Sequence, residues 1–175
     1  LRCKKLFFDN LPADALAIVN TDDRNGLVMT QNTKAKVITY SCRSMADHTC
    51  RIMEQSFDGM LLKIDGKEAW TALIGQHNAY NLLALYSTAV ELGSAPDEVL
   101  VAMSTLKPAP GRLENLKGPK DISVIIDYAH TPDGLENIIS AVRGFAKGRV
   151  ITLFGCGGNR DSSKRPKMGK IAEEL

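Results

Sequence analysis

The chain has 175 residues, 44% of them apolar and 24% charged, with a net charge of +2. That balance fits one globular domain or two small ones and excludes a disordered or fibrous chain. Acidic and basic residues are interspersed, so no polybasic stripe argues for nucleic acid, and no apolar run approaches the roughly 20 residues that cross a bilayer. With no secretory apolar region at the N-terminus, a soluble cytoplasmic protein is expected, with neither nucleic-acid nor membrane partners. Leu1 is not an initiator methionine and both ends fall inside helical patterns, so a piece of a longer protein is expected.

In chain order, residues 3–11 carry Leu6, Phe7 and Leu11 at helical spacing, and residues 15–20 form a short apolar strand ending at Asp22-Asp23. From residue 50 to 74, two or three short strands are punctuated by Asp58-Gly59 and Asp65-Gly66-Lys67. Asp-Gly pairs suit tight hairpins, so an antiparallel meander is predicted. Residues 77–92 place Leu82, Leu85, Tyr86, Ala89 and Val90 on one helical stripe, with Gly93 as a left-handed stop. Ser94 to Asp97 has the form of a capping box and opens a second helix to about residue 106, making a helical hairpin.

Pro108 and Pro110 then break regular structure, because proline lacks an N–H donor and biases its predecessor to extended backbone. A domain boundary is placed there, with one domain over 1–111 and a second over 112–175, and a hinge between them. The second begins with a strand over 122–126, then a helix capped by Thr131 with Pro132 in its first turn, running to about residue 146. Residues 149–154 are the next expected strand. A β-α-β link of this length implies parallel pairing through a right-handed crossover, so the fold class is α/β.

Chemistry collects at the ends of those last two strands. Asp127 could accept hydrogen bonds from a ribose diol or from nearby backbone, and His130 could be an acid-base group or a packed turn residue. The glycine-rich run Gly155 to Arg160 could bring backbone N–H groups to an anion, yet it fits neither the Walker nor the dinucleotide fingerprint. Arg160 could grip a carboxylate bidentately, or belong to a solvated basic loop. Asn78 and Asn81 stand three apart in the first turn of a helix, where both amides can face one ligand, although asparagine also caps helices. Arg112 could reach a phosphate across the domain cleft or be an ordinary linker residue. Cys3, Cys42, Cys50 and Cys156 show neither C-x-x-C spacing nor paired histidines, so free thiols are expected rather than a zinc site or disulfide framework.

Five runs occur together: Asn20-Thr21-Asp22-Asp23; Gly75-Gln76-His77-Asn78-Ala79-Tyr80-Asn81; Gly111-Arg112-Leu113-Glu114; Asp127-Tyr128-Ala129-His130-Thr131-Pro132-Asp133; and Gly155-Cys156-Gly157-Gly158-Asn159-Arg160-Asp161. In this the whole chain resembles the Mur ligases, in the MurE branch that adds the third amino acid to the peptidoglycan precursor. The resemblance implies the later part of a P-loop-type central ATP-binding domain followed by the start of a Rossmann-like C-terminal domain. It also implies a role in cell-wall biogenesis, and hence in cell shape and division.

The reaction so implied is ATP- and Mg²⁺-dependent amide formation on UDP-N-acetylmuramoyl-L-alanyl-D-glutamate through an acyl phosphate, with meso-diaminopimelate as the expected amino acid and lysine as its rival. By resemblance, Asn78 and Asn81 hold the adenine and ribose side of ATP, Asp127 the ribose hydroxyls and Arg112 the phosphates, with His130 near them. Lys4 matches the lysine that becomes carbamylated and helps bind a second Mg²⁺, and Arg160 binds the carboxylate of the incoming amino acid. A monomer is expected, inactive without the Walker lysine loop that this sequence lacks. The alternatives are another Mur or folylpolyglutamate-type ligase, or a non-catalytic nucleotide-binding module.

Overall fold

The structure is a computed structural model that describes residues 1–157 and 161–175. A helix α1 (Arg2–Asp9) leads into a five-stranded sheet of spatial order β1 (Leu16–Asn20), β2 (Lys36–Ser41), β3 (His48–Ser56), β4 (Gly59–Ile64), β5 (Lys67–Thr71). The first three strands are parallel and the last three antiparallel, so a parallel half is welded to a meander through the shared strand β3. The short helix α2 (Gly26–Thr30) makes the crossover from β1 to β2. It lies so close to β1 that a Cβ on Gly26 would meet the Asn20 carbonyl oxygen at 1.9 Å.

The predicted hairpins form, each with a two-residue loop. Asp65 and Gly66 both have positive φ (46° and 83°), the mark of a type I′ turn whose twist matches that of the flanking strands. The other loop is Phe57-Asp58, and Gly59 already opens β4 opposite Ser56. β2 is not among the expected strands, although Val37, Ile38 and Tyr40 make it β-prone.

Helices α3 (Gln76–Glu91) and α4 (Pro96–Ser104) cover the sheet as the expected hairpin. Their Leu82, Leu83, Tyr86, Val99, Leu100 and Met103 close a core over Met60, Leu62 and Ile64 of β4. Between the helices the capping box does not form. Gly93 (φ 97°) donates to the Val90 carbonyl at 2.9 Å and Ser94 to that of Ala89 at 3.0 Å, a Schellman closure of α3. Ser94 is thereby committed to ending α3, and α4 starts at Pro96 with Ala95 as its N-cap and no side-chain cap.

The C-terminal part contains β6 (Glu114–Lys117) and β7 (Ser123–Ile126), paired antiparallel, and the helices α5 (Pro132–Arg143) and α6 (Lys164–Glu174). Thr131 caps α5 as predicted, its Oγ1 accepting the Gly134 N–H at 3.2 Å. Residues 149–154 differ from expectation: they form no strand, and the parallel pairing with β7 is not made. Met168 of α6 packs on Leu135 and Ile139 of α5, but among the described residues Ile151 and Leu153 stay 76% and 97% exposed. A parallel strand needs apolar cover on both faces, and here only the Val150 side packs, against the cluster of Ile74, Leu113 and Val142.

The two parts meet at a packed junction. Ile74, Leu113 and Val142 are buried together, Phe57 stands edge-on to Phe145 at 4.7 Å, and the Asn115 side-chain amide donates to the Phe57 carbonyl at 2.9 Å.

Candidate active site

Asp127 follows β7 directly, and its carboxylate is used by the backbone. One oxygen accepts the Leu113 N–H at 2.9 Å and the other the Ala129 N–H at 2.7 Å. The first bond pins Leu113, a non-glycine residue at φ 43°, and so sets the direction in which its neighbour Arg112 leaves the chain. The Arg112 guanidinium lies over the Tyr128 ring, 5.2 Å from its centroid, a cation–π contact that restrains a long exposed side chain.

His130 is exposed, its Nδ1 3.0 Å from the Tyr128 carbonyl oxygen and its ring tilted against Tyr128 at 5.1 Å. Lys164, at the start of α6, donates to the His130 carbonyl at 2.9 Å. Asp127, His130, Lys164 and the Gly155 to Gly157 backbone form the polar mouth of a cleft of about 810 Å³. Apolar residues of β7 and α5 line it together with residues 149–154 themselves, the run predicted as a strand.

The first turn of α3 adjoins this group. Gly75 has φ 91°, and a Cβ there would come within 2.8 Å of Leu113 and 2.9 Å of His77, so a side chain is excluded on both counts. Desolvation holds the His77 pKa below its ordinary value, opposed by the charge of Asp127 nearby. Asn78 donates through Nδ2 to the Ile74 carbonyl at 2.8 Å and accepts from Asn81 Nδ2 at 3.4 Å. The two amides are neighbours, as their spacing predicts, and Asn78 also ties the helix to the chain before it.

Leu113 therefore gathers Arg112, Asp127 and the start of α3 around one point. Arg112, Asn78 and Asn81 stand outside the wall of the cleft. Lys4 is exposed on α1, which packs on α2, and also stands outside that wall. Arg160 lies outside the described residues.

A second polar group sits at the carboxyl ends of β1 and β2, where parallel strands present ligand sites. Asp22 accepts Ser41 Oγ at 2.7 Å and Ser44 Oγ at 3.4 Å on one oxygen, and the Cys42 N–H and Tyr80 hydroxyl, both at 2.8 Å, on the other. Burial pushes its pKa up, but the hydrogen bonds from Ser41, Tyr80 and the backbone of Cys42 and Arg43 outweigh burial and hold it below the ordinary value. Its position just after a parallel strand was the available signal.

Comparison with known proteins gives the same outline. The Mur ligase middle domain profile matches residues 1–89, and that of the Mur ligase glutamate ligase domain matches residues 111–175. The chain belongs to the Mur ligase family. Among Mur ligases, the UDP-N-acetylmuramoyl-L-alanyl-D-glutamate–2,6-diaminopimelate ligase of Phocaeicola vulgatus is 53% identical over 98% of the chain, and that of Parabacteroides distasonis 50% identical over 100%. The chain spans 36% of the length of each. A solved structure of a ligase of that same name superposes with a TM-score of 0.71 at 26% identity, covering 99% of this chain and 37% of the other. Mur ligases combine a middle and a C-terminal domain, and the mixed sheet with its separate small antiparallel sheet has its structural counterparts in that family.

Proposed function

We propose that this chain is part of an ATP-dependent ligase that joins meso-diaminopimelate to UDP-N-acetylmuramoyl-L-alanyl-D-glutamate in peptidoglycan synthesis. The observation that carries the reading is identity of about half the residues, over nearly the whole chain, to relatives of that name. Domains over 1–111 and 112–175 follow from the same reading, as do a cytoplasmic location and a monomeric state. Among the described residues no helix is long and apolar enough to cross a membrane.

In the proposed reaction a carboxylate oxygen of the dipeptide glutamate attacks the γ-phosphorus of ATP, ADP leaves, and an acyl phosphate forms. The amine of the incoming amino acid then attacks the acyl carbon and expels phosphate. Such chemistry depends on positioning and charge neutralisation. Arg112, aimed by Leu113 and held on Tyr128, supplies a cation for the phosphates, with His130 beside it. Asn78 and Asn81 present paired amides to the base and ribose side.

Asp127 spends one lone pair of each oxygen on backbone, which leaves further lone pairs for ribose hydroxyls. Arg160 would hold the carboxylate of the incoming amino acid. Among the described residues no group of three or more His, Cys, Asp or Glu side chains converges to cage a cation. Mg²⁺ is ordinarily held by one or two carboxylates together with substrate phosphates, and Lys4, as its carbamate, would offer one such oxygen ligand.

The test is phosphate release by the complete protein with ATP, Mg²⁺ and the muramoyl dipeptide, comparing meso-diaminopimelate with L-lysine. Release with diaminopimelate is expected, and release with neither amino acid would overturn the reading.

A further inference from the structure

Tyr80 joins the Asp22 group to the first turns of α3. Successive residues of an α-helix are about 100° apart around its axis. Tyr80 therefore stands about 100° from Asn81 and about 160° from Asn78, on the far side of the same short segment. A hydroxyl held at 2.8 Å by a carboxylate on that side ties this turn of the helix to the turn after β1.

The anchor itself is over-determined. Asp22 takes its four donors from three places: Ser41 at the end of β2, Cys42 and Ser44 in the loop after it, and Tyr80 in α3. Its own N–H donates to Asn20 Oδ1 at 2.9 Å, which closes the turn after β1. Ser41 is fully buried, so the Asp22 end of the link has little freedom to shift. The carboxylate stays ionised at neutral pH, and a charged acceptor makes each of these bonds about twice as strong as a neutral one.

We propose that Asp22 is a positioning residue for the nucleotide, acting through the Tyr80 hydroxyl to hold α3 in the rotation that presents Asn78 and Asn81. This rests on the ligase reading above, since it assumes that the asparagine pair faces ATP. Tyr80→Phe removes one hydroxyl and keeps the ring. Asp22→Asn removes the charge with little change of shape, and Ser41→Ala loosens Asp22 without touching α3.

The experiment combines steady-state kinetics of the complete ligase with amide hydrogen exchange over residues 76–82. Expected for Tyr80→Phe is a KM for ATP raised about tenfold, the loss of roughly one charge-assisted hydrogen bond, with kcat within about twofold and faster exchange in that segment. Ser41→Ala should move the same two readouts in the same direction by less. Unchanged exchange, or faster exchange with an unchanged KM for ATP, would overturn the proposal by showing that the bond is structural only. Should Asp22→Asn fail to fold, Tyr80→Phe decides alone. A wild-type protein without ATP turnover would remove the ligase reading, and this proposal with it, whereas turnover with an indifferent Tyr80→Phe would remove this proposal alone.

Discussion

The two parts of the chain close their apolar surface to different degrees. In the part that ends with α4, a sheet and two helices seal Met60, Ile64 and Leu83 from water entirely. In the part that begins at Leu113, a two-stranded ladder and two helices bury Leu135, Ile139 and Met168 but leave Ile151 and Leu153 in solvent. Five strands flanked by helices can cover their own apolar face, and a single hairpin cannot. The candidate site lies where the closed part meets the open one, which gives it a rigid side at α3 and a polar mouth opposite.

That contrast can be broken by mutation. Leu83→Ala in the closed core should cost about 2–5 kcal/mol in urea unfolding, because the cavity left there cannot collapse. A cost below about 1 kcal/mol would mean that the two parts are equally loose. Gly26→Ala forces a methyl group into the Asn20 carbonyl and should destabilise by about 1–3 kcal/mol in the same assay.

Phe145→Leu removes the edge-on contact with Phe57 across the junction and should cost about 0.5–1.5 kcal/mol beyond the area lost. Coupling to Phe57→Leu in a double-mutant cycle is the check, and additivity would show that the junction carries no interaction of its own. Leu153→Ser, in the open part, should change stability by less than about 0.5 kcal/mol.

Acid probes the closed part through Asp22. Asp22 titrates lower when folded than its ordinary value near 3.8, so as pH falls the unfolded state binds the proton first. Its contribution is whole above that value and drains as pH falls below it. Unfolding free energy between pH 7 and pH 3 should drop less in Asp22→Asn than in the wild type, and parallel profiles would remove Asp22 from the acid sensitivity of the protein.

Much of the closed part was legible locally. The Asp65-Gly66 turn, the α3 stripe and its glycine stop depend on backbone preferences and on periods of two or 3.6 residues, which a single sequence displays. The capping box at Ser94 failed because two helix ends competed for one residue and the Schellman closure took it. The strand over 149–154 failed for a different reason. Its apolar run is present in the sequence, but a strand exists only with a ladder partner and cover, and neither is visible in the run itself.

The candidate site divides in the same way. The sequence by itself determined the residue types, their family pattern and the neighbour relation of Asn78 and Asn81, because helical spacing is a local property. Only the tertiary structure decided that Asp127 is bonded to the backbone of Leu113, that Arg112 rests on Tyr128, and that Asp22 reaches Tyr80 58 residues away. Those contacts join positions far apart in the chain, and no local period or propensity encodes which distant partner a carboxylate will find.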